Sequence, residues 1–419
     1  MVWLETLNAF IFPLSLRRYQ RDIWQTGSFT IEPPGFAQLT CDFTVFHGSK
    51  TYAWRFGDHL WLTSDGVSSS FKIVCLYDLT SDILYVAPRA SHAHAQFLLS
   101  ERHRAVSGTA PPILIAGHQN FAHFIWNELP ALMQLETIPG AVTRIDTTYE
   151  PVLPLSTLIR LPPSLRMTQL KQGSLRYPLH EYPGVLFSAG AVHVTQAVKD
   201  RVLGLCTAYA GLAADTPKKS AKRIWLSLRT IHRSARNELE VFSCLVDLLG
   251  LFATDIEILL DGYSLGHDIV VDDRYDAAAQ RANNDAAAAV AASLQARPAP
   301  PNVRFIDLTR AALPTAIAWA ATADVYICHH GTQQHKIGWL TDVPGIVHTN
   351  PHVLATYPAD WVTAQAEGAS RPAYIPLDLV EEIAGEAAGY SQDYRFADPQ
   401  QAALYLVGYL TSVMFPPPR

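Results

Sequence analysis

"DVYICHHGTQQHKIGWLTD", residues 324–342, decides the fold. Its first half is a short apolar run rich in β-branched and aromatic residues, which predicts a buried strand. Gly331 permits tight backbone approach, and Thr332 is suited to cap a helix running through "QQHKIGWLTD". Unpaired amides in the first turn and the positive end of the helix dipole suit a phosphate there, and an ordinary βα turn without a ligand has the same sequence.

Working outward, the same alternation recurs. "RIWLSL" (223–228) predicts a strand, "ARNELEVFSCLVDLLG" a helix ended by Gly250, and "DIEILLDG" a strand. An Ala-rich helical insertion follows at 274–298, then the strand "NVRFIDL" and the helix "TRAALPTAIAWAATA". Strands alternating with helices imply a parallel sheet covered on both faces, so residues 223–419 are expected to form a Rossmann-like α/β domain. The polar, lysine-rich stretch 212–222 ("LAADTPKKSAK") is the expected linker, and residues 1–211 the N-terminal domain. The latter begins with short aromatic runs ("FTVFHG", "YAWRFG", "HLWLTSDG", "FKIVCLYDL", "ILYVAP") that read as β-rich, and continues with the strand "PILIAG" and a helix.

Bulk properties narrow the function. A chain of 419 residues exceeds one ordinary core, and two domains are expected. The net charge of −6 gives no general attraction for nucleic acid. A local exception is the cationic run from Lys218 to Arg236, which contains no acidic residue and suits a small anionic ligand or a solvated face. The longest apolar stretch, 311–323, is shorter than the ~18 residues of a membrane span. The five cysteines are scattered without CxxC spacing, as expected of reduced thiols. Glu5 and Pro13 argue against a secretory signal, so a cytoplasmic location is expected.

In open parallel sheets ligands bind beyond the carboxyl ends of the strands. Three such ends carry polar groups. After "ILIAG" comes "HQNFAHFIWNELP"; in a helix over 120–135, Asn120, His123 and Asn127 share a face, while Glu128, about 140° from His123, belongs to another. Pro130 predicts a kink that frees the Trp126 carbonyl. After "RIWLSL", Arg229 and Arg233 suit a diphosphate clamp. The third end is "HHGTQQHK". His118–His123 and His330–His335 are each five apart, which in a helix separates the faces, and with HExxH and DxD absent no metal is expected.

Taken in order, "NFAHFIWNELPAL" (120–132), "RIWLSLRTIHRSARNEL" (223–239) and "ADVYICHHGTQQHKIGWLTDVPGIVH" (323–348) resemble the motifs of glycosyltransferase family 61. The resemblance spans roughly residues 110–350. It implies a GT-B-like α/β fold with two Rossmann-like domains facing a cleft, the N-terminal one carrying an extra β-rich segment. It also implies an inverting, metal-independent transfer from a nucleotide-sugar, typically a UDP-sugar, to a glycan or lipid-linked glycan in surface polysaccharide or capsule biosynthesis, in the cytoplasm or peripherally at the inner face of its membrane. Donor contacts are then expected from Asn120, Arg229, Arg233, Asn237, Glu238, His330, Gly331, Thr332, Lys336 and His348.

Asn127 stands where the family places a carboxylate, which leaves His123 as base and Glu128 as the second candidate. Thr332 and Gln333 replace the family's Ala-Gly, and His348 its later Glu. Two other readings compete: a catalytically inactive binding protein of the same fold, and a hydrolase using Ser264 in "GYSLG" (262–266), against which "HDIVVDD" reads as non-helical.

Overall fold

The computed structural model describes residues 29–32, 38–47, 51–66, 70–87, 90, 92–101, 113–118, 120–137, 144–147, 149–169, 186–188, 193–212, 221–272, 278–356, 360–383, 385 and 389–416. They divide into two compact units. The first comprises residues up to Gln119 with His123–Glu150 and Leu155–Val192; the second takes in Asn120–Ala122, Pro151–Pro154 and the chain from His193 onward.

The first unit opens with an antiparallel meander of β1 (Phe29–Ile31), β2 (Leu39–His47), β3 (Thr51–Phe56), β4 (His59–Gly66), β5 (Ser70–Asp78) and β6 (Ile83–Val86), paired in chain order. These are the aromatic runs of the sequence. A parallel sheet follows, made of β7 (Ile113–Ala116), β8 (Arg144–Thr147), β9 (Arg166–Gln169) and β10 (Leu186–Ser188) in the order β10-β7-β8-β9. The order reverses between β7 and β10, so a crevice is expected beyond the end of β7.

The second unit holds six parallel strands: β11 (Lys222–Ser227), β12 (Ile256–Asp261), β13 (Val303–Asp307), β14 (Val325–His329), β15 (Gly345–His348) and β16 (Ala373–Tyr374). Their order, β13-β12-β11-β14-β15-β16, is the doubly wound Rossmann order, with its switch point between β11 and β14. Two short antiparallel strands, β17 (Val380–Glu382) and β18 (Tyr394–Phe396), complete the unit. The α/β class, the two Rossmann-like sheets and the additional β-rich segment agree with a GT-B-like fold.

Strand period explains why these sequences form this sheet. Successive side chains point to opposite faces, and a sheet covered on both sides needs apolar residues at every position. Ile224, Leu226, Ile258, Leu260 and Ile327 pack on one face with the helices Glu238–Leu249, Ala278–Gln295 and Pro399–Met414. Trp225, Leu259, Tyr326 and Cys328 pack on the other with Leu313–Ala320 and Thr332–Gly338.

Two sequence expectations change. The Ala-rich helix Ala278–Gln295 is the crossover between β12 and β13, with Ala287, Ala291 and Leu294 in the core, and so belongs to the sheet's winding. The helix Gln196–Tyr209, expected in the N-terminal domain, packs on Leu313–Ala320 within the second unit. Of the expected linker, residues 213–220 lie outside the described residues, as do Lys218 and Lys219 of the cationic run. Among the described residues no helix is long and apolar enough to cross a membrane.

Candidate functional site

At the switch point of the second unit, β11 leads into Leu228 and Arg229, and β14 into His330 and Gly331. The intervening turn is strained: His232 and Arg233 both adopt left-handed backbone, with φ of 46° and 61°. This turn carries the Arg233 guanidinium against Gly331. A Cβ placed on Gly331 would lie 3.0 Å from Arg233 Nη2 and 3.6 Å from Arg229 Nη1, and Gly331 itself has φ +108°. The positive φ calls for a glycine there, and a Cβ would press the Arg233 guanidinium aside by a few tenths of an ångström.

The cationic run separates into two sets. Lys222 pairs with Asp324, Arg223 with Glu257 and Arg236 with Asp393. Arg229 instead donates to backbone carbonyls, from Nε to Ile231 at 2.9 Å and from Nη1 to His330 at 3.1 Å. Arg233 lies over the Tyr390 ring at 4.4 Å, and its Nε and Nη1 are buried without hydrogen-bond partners among the described residues. Buried guanidinium donors lacking acceptors are costly, and an anion relieves that cost. Burial and the adjacent Arg233 lower the Arg229 pKa to about 10, which still leaves it charged at neutral pH. Burial, then the two arginines, depress His330 to about 3, so its imidazole is neutral; its Nδ1 meets the Tyr374 hydroxyl at 3.0 Å.

Thr332 begins its helix but does not cap it. Gly331 occupies the cap position without a side chain, and Thr332 Oγ1 accepts from Asn120 Nδ2 at 3.4 Å. The helix is also shorter than expected, ending at Gly338.

Four other expected donor contacts have structural partners. Asn237 donates from Nδ2 to the Phe396 carbonyl at 3.0 Å and accepts from its amide at 2.9 Å, tying down β18. Glu238 is buried 3.2 Å from His329 Nε2, where burial raises the carboxyl well above its usual range and lowers the imidazole well below its own. Lys336 forms a buried ion pair with Asp261 and donates to the Gly262 carbonyl at 2.8 Å. His348 lies in the core with its Nδ1 on the Tyr394 hydroxyl. A polar residue just after a strand is as readily turned inward as outward, and sequence order does not distinguish the two.

Ser264 is followed by a helix, His267–Asp272, where "HDIVVDD" read as non-helical. Its hydroxyl donates to Asp261 Oδ1 at 3.1 Å and accepts from Lys336 Nζ at 3.1 Å. No histidine bonds to it among the described residues; its two partners, Asp261 and Lys336, are ion-paired with each other, unlike a Ser-His-Asp arrangement.

In the first unit, β7 runs into Gly117, at φ +108°, and His118. The helix that follows is not regular: α-helical Phe121–His123 gives way to a π-helix, Phe124–Glu128, then α-helical Leu129–Leu132 and a 3-10 turn, Met133–Glu136. Pro130 cannot donate to Trp126, and the wider turn places the Leu129 amide on the Phe124 carbonyl.

His123 and Asn127 lie on one face, as their spacing predicts. His123 Nδ1 and Asn127 Oδ1 are 2.9 Å apart; with the amide oxygen as acceptor, the bond is made by the imidazole that carries a proton on Nδ1. Glu128, placed on another face by α-helical spacing, turns back to the strand end, where Oε2 accepts from the amides of Gly117 at 2.8 Å and His118 at 3.1 Å. Burial raises its carboxyl to about 8 against these two bonds. The His118 and His123 rings, separated in the sequence reading, lie 4.7 Å apart because His118 precedes the helix.

Sequence reasoning missed Tyr374 and Tyr390, which border His330 and Arg233, and Asn350, which holds the segment bearing Tyr390. None lies in a periodic run or a recognised motif.

No family model matches this chain, and no curated protein does. Similar solved structures include a glycosyl transferase family 9 protein from Veillonella parvula, at 8% identity and TM-score 0.32, covering 63% of this chain and 85% of that one. Another is the E. coli ADP-heptose lps heptosyltransferase II, at 10% identity and TM-score 0.39, covering 72% and 99%. At this degree of overlap the likeness carries nothing about substrate or mechanism, which rest on the chain's own residues.

Proposed function

We propose that the protein is an inverting glycosyltransferase that takes a sugar from a nucleoside diphosphate sugar, with a UDP-sugar as the expected donor, and passes it to a glycan or lipid-linked glycan hydroxyl. The observation that carries this reading is the pair Arg229 and Arg233, without carboxylate partners among the described residues, held beside Gly331 at the switch point of a Rossmann sheet. Surface polysaccharide assembly is the setting in which such a transfer is proposed.

The reaction needs a base for the acceptor hydroxyl and a counter-charge for the leaving group. His123 Nε2 takes the hydroxyl proton, and the oxygen bonds to the anomeric carbon from the side opposite the diphosphate. The bond from that carbon to the diphosphate oxygen breaks with both electrons going to oxygen. Arg229 and Arg233 meet the resulting negative charge, which is why no metal ion is invoked. Asn127 keeps His123 in the required tautomer. The same Asn127, which cannot itself take a proton, is what favours the alternative of a catalytically inactive binding protein.

Thermal-shift titration with UDP-, GDP-, dTDP- and ADP-sugars in the presence of a chelator tests the proposal, since a ligand that binds only the folded state raises its stability. A saturable shift is expected, lost in Arg229→Ala and Arg233→Ala. His123→Ala is expected to keep the shift and lose transfer. Absence of any shift, or an undiminished shift in both arginine variants, overturns the reading.

A further inference from the structure

The Tyr390 ring is two-fifths exposed, yet it is held in a fixed place. Asn350, 2% exposed, donates from its single Nδ2 to three carbonyls around it: Gly389 at 3.1 Å, Tyr390 at 3.3 Å and Gln392 at 2.8 Å. Asn350 is itself fixed, because its Oδ1 accepts from the Val353 amide at 2.9 Å. From the other side the Arg233 amide donates to the Ser391 carbonyl at 3.2 Å, and the Ser234 amide to Asp393 Oδ1 at 2.9 Å. The segment carrying the ring is thus bonded to the turn that carries the guanidinium.

The ring sits against charge. Arg233 lies over it at 4.4 Å, and the His330 ring meets it edge-on at 6.4 Å. Exposed aromatic side chains are ordinarily mobile, and fixing one costs rotamer freedom. Here that ordering precedes any ligand, which is the condition under which an aromatic surface binds strongly.

We propose that Tyr390 is the platform on which the nucleobase of the donor stacks. This rests on the nucleotide-sugar reading above and adds to it a subsite for the base. A base in van der Waals contact with the outer side of the ring, at ~3.5 Å, stands roughly 8 Å from the guanidinium. The ring itself lies along that line, so the ribose and diphosphate of the same molecule are taken to pass round its edge to Arg233. Stacking recognises any base through its π-face, so the platform supplies affinity for nucleosides in general and does not by itself select uracil.

The test separates the base from the phosphates. Affinities of the full-length protein for UDP and for inorganic pyrophosphate are measured by isothermal titration, for wild type, Tyr390→Phe and Tyr390→Leu. Tyr390→Leu is expected to weaken UDP about tenfold while leaving pyrophosphate unchanged, and Tyr390→Phe to keep both. Equal weakening of UDP and pyrophosphate would mean that Tyr390 only positions Arg233, and an unaltered UDP affinity would mean that the ring touches no ligand; either overturns the platform while the diphosphate clamp stands. Wild type that binds neither probe overturns the clamp and the platform together. Melting temperatures of the variants, checked alongside, show that each is folded.

Discussion

The Nη2 atom of Arg233 lies 3.0 Å from the place a Cβ on Gly331 would occupy. Two residues almost a hundred positions apart in sequence are thereby fitted to each other, the one through a left-handed turn and the other through the absence of a side chain.

Gly331→Ala is therefore expected to act twice. The positive φ alone costs about 1–3 kcal/mol, and the new methyl displaces Arg233. A lowered melting temperature and nucleotide binding weakened more than tenfold are expected. Unchanged nucleotide affinity in titrations of the folded variant would show that the close approach has no bearing on the ligand.

Asn127 holds His123 without charging it. Asn127→Asp places a carboxylate on the same nitrogen and stabilises the imidazolium. The acid limb of the transfer rate is expected to move to higher pH, so that turnover at pH 6 falls more than turnover at pH 9. Superimposable pH profiles for the two proteins would separate Asn127 from the function of His123.

Glu128 makes stability depend on pH in a definite direction. Its folded pKa of about 8 lies above the ordinary 4.5, so its protonated form is the one the fold prefers. That contribution is fully present below about pH 4.5 and is lost as pH rises through about 8, a change of a few kcal/mol. Glu128→Gln keeps an acceptor for Gly117 and His118 but cannot ionise. Urea midpoints between pH 5 and 9 are expected to decline less in this variant than in wild type; parallel declines would refute the assignment.

Lys336 provides a contrast. Removing one member of a buried ion pair typically costs about 3–5 kcal/mol, so Lys336→Met is expected to lower stability strongly. Folded Lys336→Met protein at low temperature is expected to bind UDP as wild type does. A selective loss of UDP affinity with stability intact would instead make Lys336 a donor contact.

The winding of the second unit is readable because each strand has an apolar centre and each helix its own period; "RIWLSL", "DIEILLDG" and "DVYICHHG" all form strands at these places. Arg229, Arg233 and Gly331 could be singled out because strand ends in such sheets are where ligands bind. Their neighbours could not. Tyr390 reaches Arg233 through Asn350, forty residues earlier, and its segment has no periodicity to mark it. Nor does spacing show that Asn237, Glu238, Lys336 and His348 turn inward, since that depends on partners from other strands and helices. The π turn escaped for a different reason: Pro130 announces a disturbed helix, and whether the chain kinks or widens is decided by what the displaced carbonyls find.

That widened turn also bears on how this sequence can change over time. A π turn holds one residue more than the α turn it replaces, so deleting any one residue between Phe124 and Glu128 would return regular winding at the expense of the positions within the turn. Asn127 and Glu128 would no longer answer to His123 and the Gly117 turn. Substitutions can accumulate along this helix, whereas a single insertion or deletion there breaks its alignment, and descendants of this chain are expected to keep the count from His123 to Pro130 even where they change the letters.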